Sequence, residues 1–120
     1  MKDFKFTQLP ADPVNCSMKL KHGVERLTID KTMYKKMEKF CSQQKITKLT
    51  FLVAVFKLVL AKDSGYSDIA IGQRVSTRFH YKLRNTLGCF LEKVVIRSHI
   101  DNKDTFLNYV SKIDRIIIAA

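Results

Sequence analysis

At 120 residues the chain has room for one hydrophobic core and not for two, and a hydrophobic fraction of 46% with four glycines and two prolines excludes a disordered or low-complexity composition. A formal charge of +11 favours anionic partners. The basic residues are nonetheless scattered, densest at Lys35, Lys36, Lys39, Lys45 and Lys48, with no helix-turn-helix, RNA-recognition or zinc-finger pattern, so nucleic acid is not the expected partner.

Cys16, Cys41 and Cys89 are odd in number and far apart, which fits neither a disulfide framework nor metal-ligand spacing and points to reduced thiols in a cytoplasmic protein. The opening MKDFKFTQLP lacks the apolar run of a secretory signal, and Lys57 interrupts the longest apolar stretch, so no membrane span is expected.

Taken in order, the chain reads as one domain over residues 1–120. Residues 1–16 form an extended arm or linker, because both prolines stand in LPADP (Leu9 to Pro13) and proline removes a backbone donor and disfavours helix. Ser17 to Lys21 and Glu25 to Ile29 alternate apolar and polar residues around His22-Gly23, as two short strands of a hairpin would. Asp30 is a suitable cap for a helix from Lys31 to about Gln44, with Met33, Met37, Phe40 and Cys41 on one buried stripe. A second helix starts at Thr47 or Lys48 and runs to Lys62, stopped by Asp63-Ser64-Gly65. From Leu49 to Ala61 it is apolar nearly all round, so it should be the most buried helix and should need cover on almost every side.

Asp68 to Val75 alternates as a strand ending near Gly72. A polar, basic connection from Ser76 to Thr86 leads to the longest strand, Gly88 to Ile100. Asp104 then caps a last helix with the stripe Phe106, Tyr109, Val110, Ile113 and Ile117. The pattern is α/β: helices packed on a small mixed β-sheet.

No catalytic centre is visible in the residues themselves. His22, His80 and His99 are isolated from one another and from any obvious carboxylate partner, and a general base must be oriented by one. Gly-x-Ser-x-Gly, a phosphate-cradling glycine loop and a two-histidine zinc pattern are all missing from the 120 residues.

Three stretches carry a family resemblance. LTFLVAVFKLVLAKDSGYSDIAIGQRVSTR (Leu49 to Arg78) resembles the segment of nonribosomal peptide synthetase condensation domains in which a buried helix is followed by a short turn, an Asp-Ile strand, a glycine and a terminal arginine. LGCFLEKVVIRS is similar to the family's Ile-Gly-x-Phe-Val-Asn-Thr motif with its closing arginine, matched by Leu87, Gly88, Phe90, Leu91 and Arg97. FTQLPADPV resembles the Leu-Pro-Thr-Asp-x-Pro linker that precedes this part of the domain, and the order and spacing of the three stretches agree. The sequence departs from the motif where the family prefers Asn-Thr, having Glu92 and Lys93.

The resemblance implies one lobe, the second, of a two-lobed chloramphenicol acetyltransferase-like domain, ending before the family's His-Gln-Asp segment. In the complete family an amide bond is made between carrier-protein-bound thioesters, and a histidine of His-His-x-x-x-Asp-Gly in or beside the first lobe is associated with that step. That motif does not occur here, so the chain is expected to be an inactive fragment of an acyltransferase of peptide-antibiotic and lipopeptide biosynthesis. The alternative is a stand-alone basic interaction module that binds an acidic carrier domain or self-associates. Implied partners are the first lobe and an acidic peptidyl carrier protein, with phosphopantetheine borne by that partner and no cofactor or metal bound directly. Arg78 and Arg97 are the candidate substrate-binding residues, with Gly72, Gly88 and Phe90 as family-motif positions. The ordinary structural role of such arginines is an ion pair or loop support, and of such glycines backbone geometry.

Overall fold

The first helix, α1 (Lys31–Gln44), begins where Asp30 holds an extended conformation and its Oδ1 accepts from the amides of Thr32 (2.7 Å) and Met33 (2.9 Å). The computed structural model describes residues 23–78 and 80–119. α1 closes on Lys45 in the left-handed region, which lets the amide of Ile46 reach the Cys41 carbonyl at 3.1 Å. Thr47 caps α2 (Lys48–Ser64) by accepting from the Thr50 amide at 3.0 Å. Asp63 and Ser64 extend α2 one half-turn beyond the expected stop, and Gly65, at a φ of 73° that a side chain would disfavour, ends it with its amide on the Ala61 carbonyl.

β1 (Asp68–Ser76) and β2 (Leu91–His99) pair antiparallel, with Asp68 opposite His99 at one end and Ser76 opposite Leu91 at the other. The sequence pattern suggests a mixed sheet; the described strands form a two-stranded antiparallel ribbon. β1 does not end near Gly72 but continues four residues beyond it, because every residue to Ser76 finds a partner on β2. β2 is shorter than Gly88 to Ile100 and equal to β1 at nine residues, since the chain before Leu91 turns to close the connection.

α3 (Phe106–Ala119) is capped not by Asp104 but by Thr105, whose Oγ1 accepts from the Asn108 amide at 3.3 Å. Asp104 instead donates its amide to the Asp101 carbonyl in the preceding turn. Glu25 to Ile29 form no strand: they are exposed and irregular, with Leu27 93% accessible, so the hairpin lacks its second half. Ser17 to Lys21, the arm over residues 1–16, Cys16 and His22 lie outside the described residues.

Both α2 and α3 lie on one face of the ribbon. Val53 and Ala54 of α2, Ile96 of β2 and Tyr109, Val110 and Ile113 of α3 make the core, each larger aliphatic side chain contributing about 1.5–3 kcal/mol on burial. Of the expected α3 stripe Tyr109, Val110 and Ile113 are buried and Ile117 is partly so, while Phe106 at the helix start stays exposed; Phe40, Phe51 and Phe106, with ring centroids 5.5 to 5.9 Å apart, fasten α1 to α2 and α3. On α1 only Met37 and Cys41 of the expected stripe are buried; Phe40 is half-buried and Met33 is exposed, because just the last two turns of the helix meet the core. Thr50, fully buried, donates to Asp114 at 2.9 Å and so ties the start of α2 to α3.

α2 is inverted relative to its hydropathy. Lys57 is buried, whereas Leu49, Leu52, Phe56 and Val59 are 44 to 53% exposed along one outward stripe. Their three-four-three spacing puts them on a single seam.

Candidate functional site

The ribbon and the connection between its strands gather the motif residues. Thr77 follows β1 and donates its amide (2.8 Å) and Oγ1 (3.2 Å) to the Phe90 carbonyl, which pinches the connection into a closed loop containing a 3₁₀ turn over Tyr81–Leu83. Arg78 fills that loop. Its Nη1 donates to the carbonyls of Leu83 (2.5 Å) and Thr86 (2.9 Å), its Nη2 to Gly88 (3.3 Å), and its guanidinium carbon stands 4.2 Å from the centre of the Phe90 ring.

The same ring explains one glycine. A Cβ on Gly88, whose φ is 149°, would strain the backbone and stand 3.2 Å from Cε2 of Phe90, so the ring would have to give by a few tenths of an ångström. Gly72 is different: it lies exposed in β1 and a Cβ would meet nothing within 4 Å. His80 stacks on Tyr81 and its Nδ1 accepts from the Lys82 amide, and Cys89 is exposed beside Gly88.

Arg97 points to the outer face of the ribbon and grips Asp68, with Nε 3.1 Å from both carboxylate oxygens and Nη2 2.6 Å from Oδ2. These hydrogen bonds hold the Asp68 carboxyl below the usual carboxylate range and raise the guanidinium in turn. The structure thus brings Arg78, Gly88 and Phe90 together and sets Arg97 on the ribbon beyond Gly72, with both guanidiniums engaged inside the chain.

Two residues with no assigned role in the sequence pattern stand under the ribbon. Lys57 Nζ donates to the Ile96 carbonyl at 2.8 Å, and burial pushes the ammonium down to about 8, against the pull of the Asp68 charge. Gln73 Oε1 is buried with no hydrogen-bond partner among the described residues. The signal for Lys57 is its place in the middle of an apolar helix; nothing local marks Gln73. Tyr109 shares a hydrogen bond of 3.1 Å with Ser98 in the core, and burial raises its phenol. Among the described residues no three His, Cys, Asp or Glu side chains gather to hold a metal, and no helix is long and apolar enough to cross a membrane.

Compared with known protein families, residues 2–120 match the condensation domain. The chain belongs to the condensation-domain family. Among curated relatives of this condensation-domain chain, the beauvericin nonribosomal cyclodepsipeptide synthetase of Gibberella fujikuroi is 28% identical over 121 residues, which is 100% of this chain and 4% of the synthetase. The enniatin synthetase of Fusarium oxysporum is 29% identical over 98 residues, 82% of this chain and 3% of the relative. Among solved structures, a four-domain nonribosomal peptide synthetase bound to AMP and glycine superposes with a TM-score of 0.73 at 21% identity, over 76% of this chain and 7% of that one. The first condensation domain of the CDA synthetase gives 0.63 at 15% identity, over 68% and 18%. The α/β fold is therefore that of condensation domains, and the chain spans a small part of each protein it matches.

Proposed function

We propose that this chain supplies part of the second lobe of a condensation domain whose complete form joins two carrier-borne thioesters through an amide bond, and that it does not catalyse alone. The observation that carries this reading is the family match over residues 2–120 in a sequence without His-His-x-x-x-Asp-Gly. The first lobe supplies that motif, an acidic carrier protein brings the substrates on phosphopantetheine, and the reaction takes place in the cytoplasm. The +11 charge suits such a carrier. Arg78 and Arg97 act on substrate by positioning: the first holds the loop against Phe90, and the second orders the outer face of the ribbon through Asp68. The test is reconstitution. Mixing the chain with a separately produced first lobe bearing the motif yields amide product from carrier-bound thioesters, while neither part does so alone. A well-folded pair that makes no product overturns the reading.

The outward stripe of α2 supports the same conclusion, because contiguous apolar faces of this kind are seldom left bare on soluble monomers. In this reading the rest of the domain covers Leu49, Leu52, Phe56 and Val59. Without that cover the 120-residue chain self-associates at high concentration, and the double substitution Leu52→Glu/Phe56→Glu makes it monomeric in analytical ultracentrifugation. A wild-type chain that stays monomeric removes the argument from the stripe.

A further inference from the structure

The face of the ribbon turned away from α2 and α3 carries two cations directly opposite one another. Arg74 of β1 and Lys93 of β2 are partners in register and both are exposed. Like charges at directly opposed positions repel and weaken a strand pair, where an opposite-charge pair would strengthen it. Among the described residues no acid on that face offsets them. Asp68 is the one carboxylate among the outward positions of the two strands, and Arg97 holds it; Glu92 is in register with Val75 and belongs to the other face.

Beside the two cations the surface is apolar and open. Val95 and Leu91 are 50% and 58% exposed, and Gly72, opposite Val95, leaves the space above it empty. Interfaces favour this mixture of arginine with uncovered apolar side chains, whereas lysine is depleted in them. A second basic surface, Lys31, Lys35, Lys36 and Lys39 of α1, lines an open pocket but is lysine alone, without arginine.

We propose that the open face of the ribbon docks an acidic segment of another polypeptide, its carboxylates on Arg74 and Lys93 and its apolar side chains over Val95 and Leu91. Charge complementarity selects this occupant. A second copy of the same face would bring four cations together, and a nucleic-acid strand would find no Phe, Tyr or Trp among the outward side chains of the two strands to stack its bases on. The proposal goes beyond the condensation reading: a failed reconstitution leaves the docking face standing, and absent docking leaves the reconstitution standing.

The test uses the whole 120-residue chain, labelled with nitrogen-15 and titrated with a short peptide that alternates glutamate and valine. The amide signals of Gly72, Arg74, Lys93 and Val95 shift, and a peptide with glutamine for glutamate leaves them in place. Arg74→Gln/Lys93→Gln weakens binding by about tenfold or more, while Lys35→Gln/Lys39→Gln, which removes the same charge from α1, weakens it by less than about twofold. Lys93→Glu gives Arg74 an ion-pair partner, so it raises the thermal midpoint by a few degrees and still abolishes binding, which separates lost docking from lost folding. Equal weakening by the two glutamine pairs, peptide-induced shifts confined to α1, or an oligonucleotide that moves the ribbon amides when the peptide does not would each overturn the proposal. So would a fall in midpoint for Lys93→Glu.

Discussion

Lys57→Met stabilises the fold at neutral pH by about 2 kcal/mol. Burial lowers the ammonium from 10.5 to about 8, a penalty on the charged form of about 3 kcal/mol at 1.36 kcal/mol per pKa unit, and the lost hydrogen bond to the Ile96 carbonyl returns about 1 kcal/mol of it. Methionine has nearly the same length and no charge to desolvate. The pH dependence follows from the direction of the shift. The unfolded lysine keeps its proton up to 10.5 and the folded one releases it from about 8, so the unfolded state binds more protons in that window and stability rises with pH through it. Tyr109 acts in the opposite sense, its phenol being raised above 10.0 by burial, so its contribution is complete below 10.0 and is lost as pH climbs further. Denaturant titrations of the wild type therefore show stability rising above about pH 8 and falling again above about pH 10, and the Lys57→Met protein lacks the rise. A Lys57→Met protein that is less stable at neutral pH, or that keeps the rise, contradicts the buried-ammonium account.

Arg78→Lys frees the connection between the strands. One planar guanidinium reaches four carbonyls spread from Leu83 to Gly88 and still lies on the Phe90 ring; an ammonium is a point charge that cannot span them. Charge-assisted hydrogen bonds contribute about 1.5–3 kcal/mol each when sheltered and less when solvated, so the local loss is about 2–3 kcal/mol. The loss is confined to the loop. Amide exchange of Leu83, Arg84 and Thr86, which bond within the loop, quickens by about tenfold or more, while α2 and α3 keep their protection. Unchanged exchange at those three amides in Arg78→Lys would show that the loop stands without the arginine. In a reconstituted domain the same substitution lowers turnover through disorder of Phe90 and the start of β2.

Where hydrogen bonds are local, sequence and structure agree closely. Asp30, Thr47 and Gly65 act on amides or carbonyls within four residues, so the borders of α1 and α2 follow from residue type and spacing. The same reasoning fails at Asp104 because a threonine one residue later also offers an oxygen, and only the path of the chain from β2 decides between them. It fails at Glu25 to Ile29 because alternation makes a strand only through pairing, and no described strand pairs with these residues.

For the candidate site the limits are of the same kind. Gly88, Phe90 and the two arginines are legible as a motif, but that Arg78 holds the 83–88 carbonyls, and Arg97 the Asp68 carboxylate, depends on which way the loop folds back. Arg74 and Lys93 are nineteen positions apart and become neighbours through the register alone.

By itself the amino-acid sequence determined the helices, the caps of α1 and α2, the presence of the two strands and the family, because those rest on contacts a few residues apart and on order along the chain. Only the tertiary structure decided that Lys57 faces inward while Leu52 and Phe56 face outward, and that two cations meet on the open face of the ribbon. The physical reason is that an apolar helix has no preferred side until a neighbour packs on it, and a strand has no opposite residue until its partner is in register.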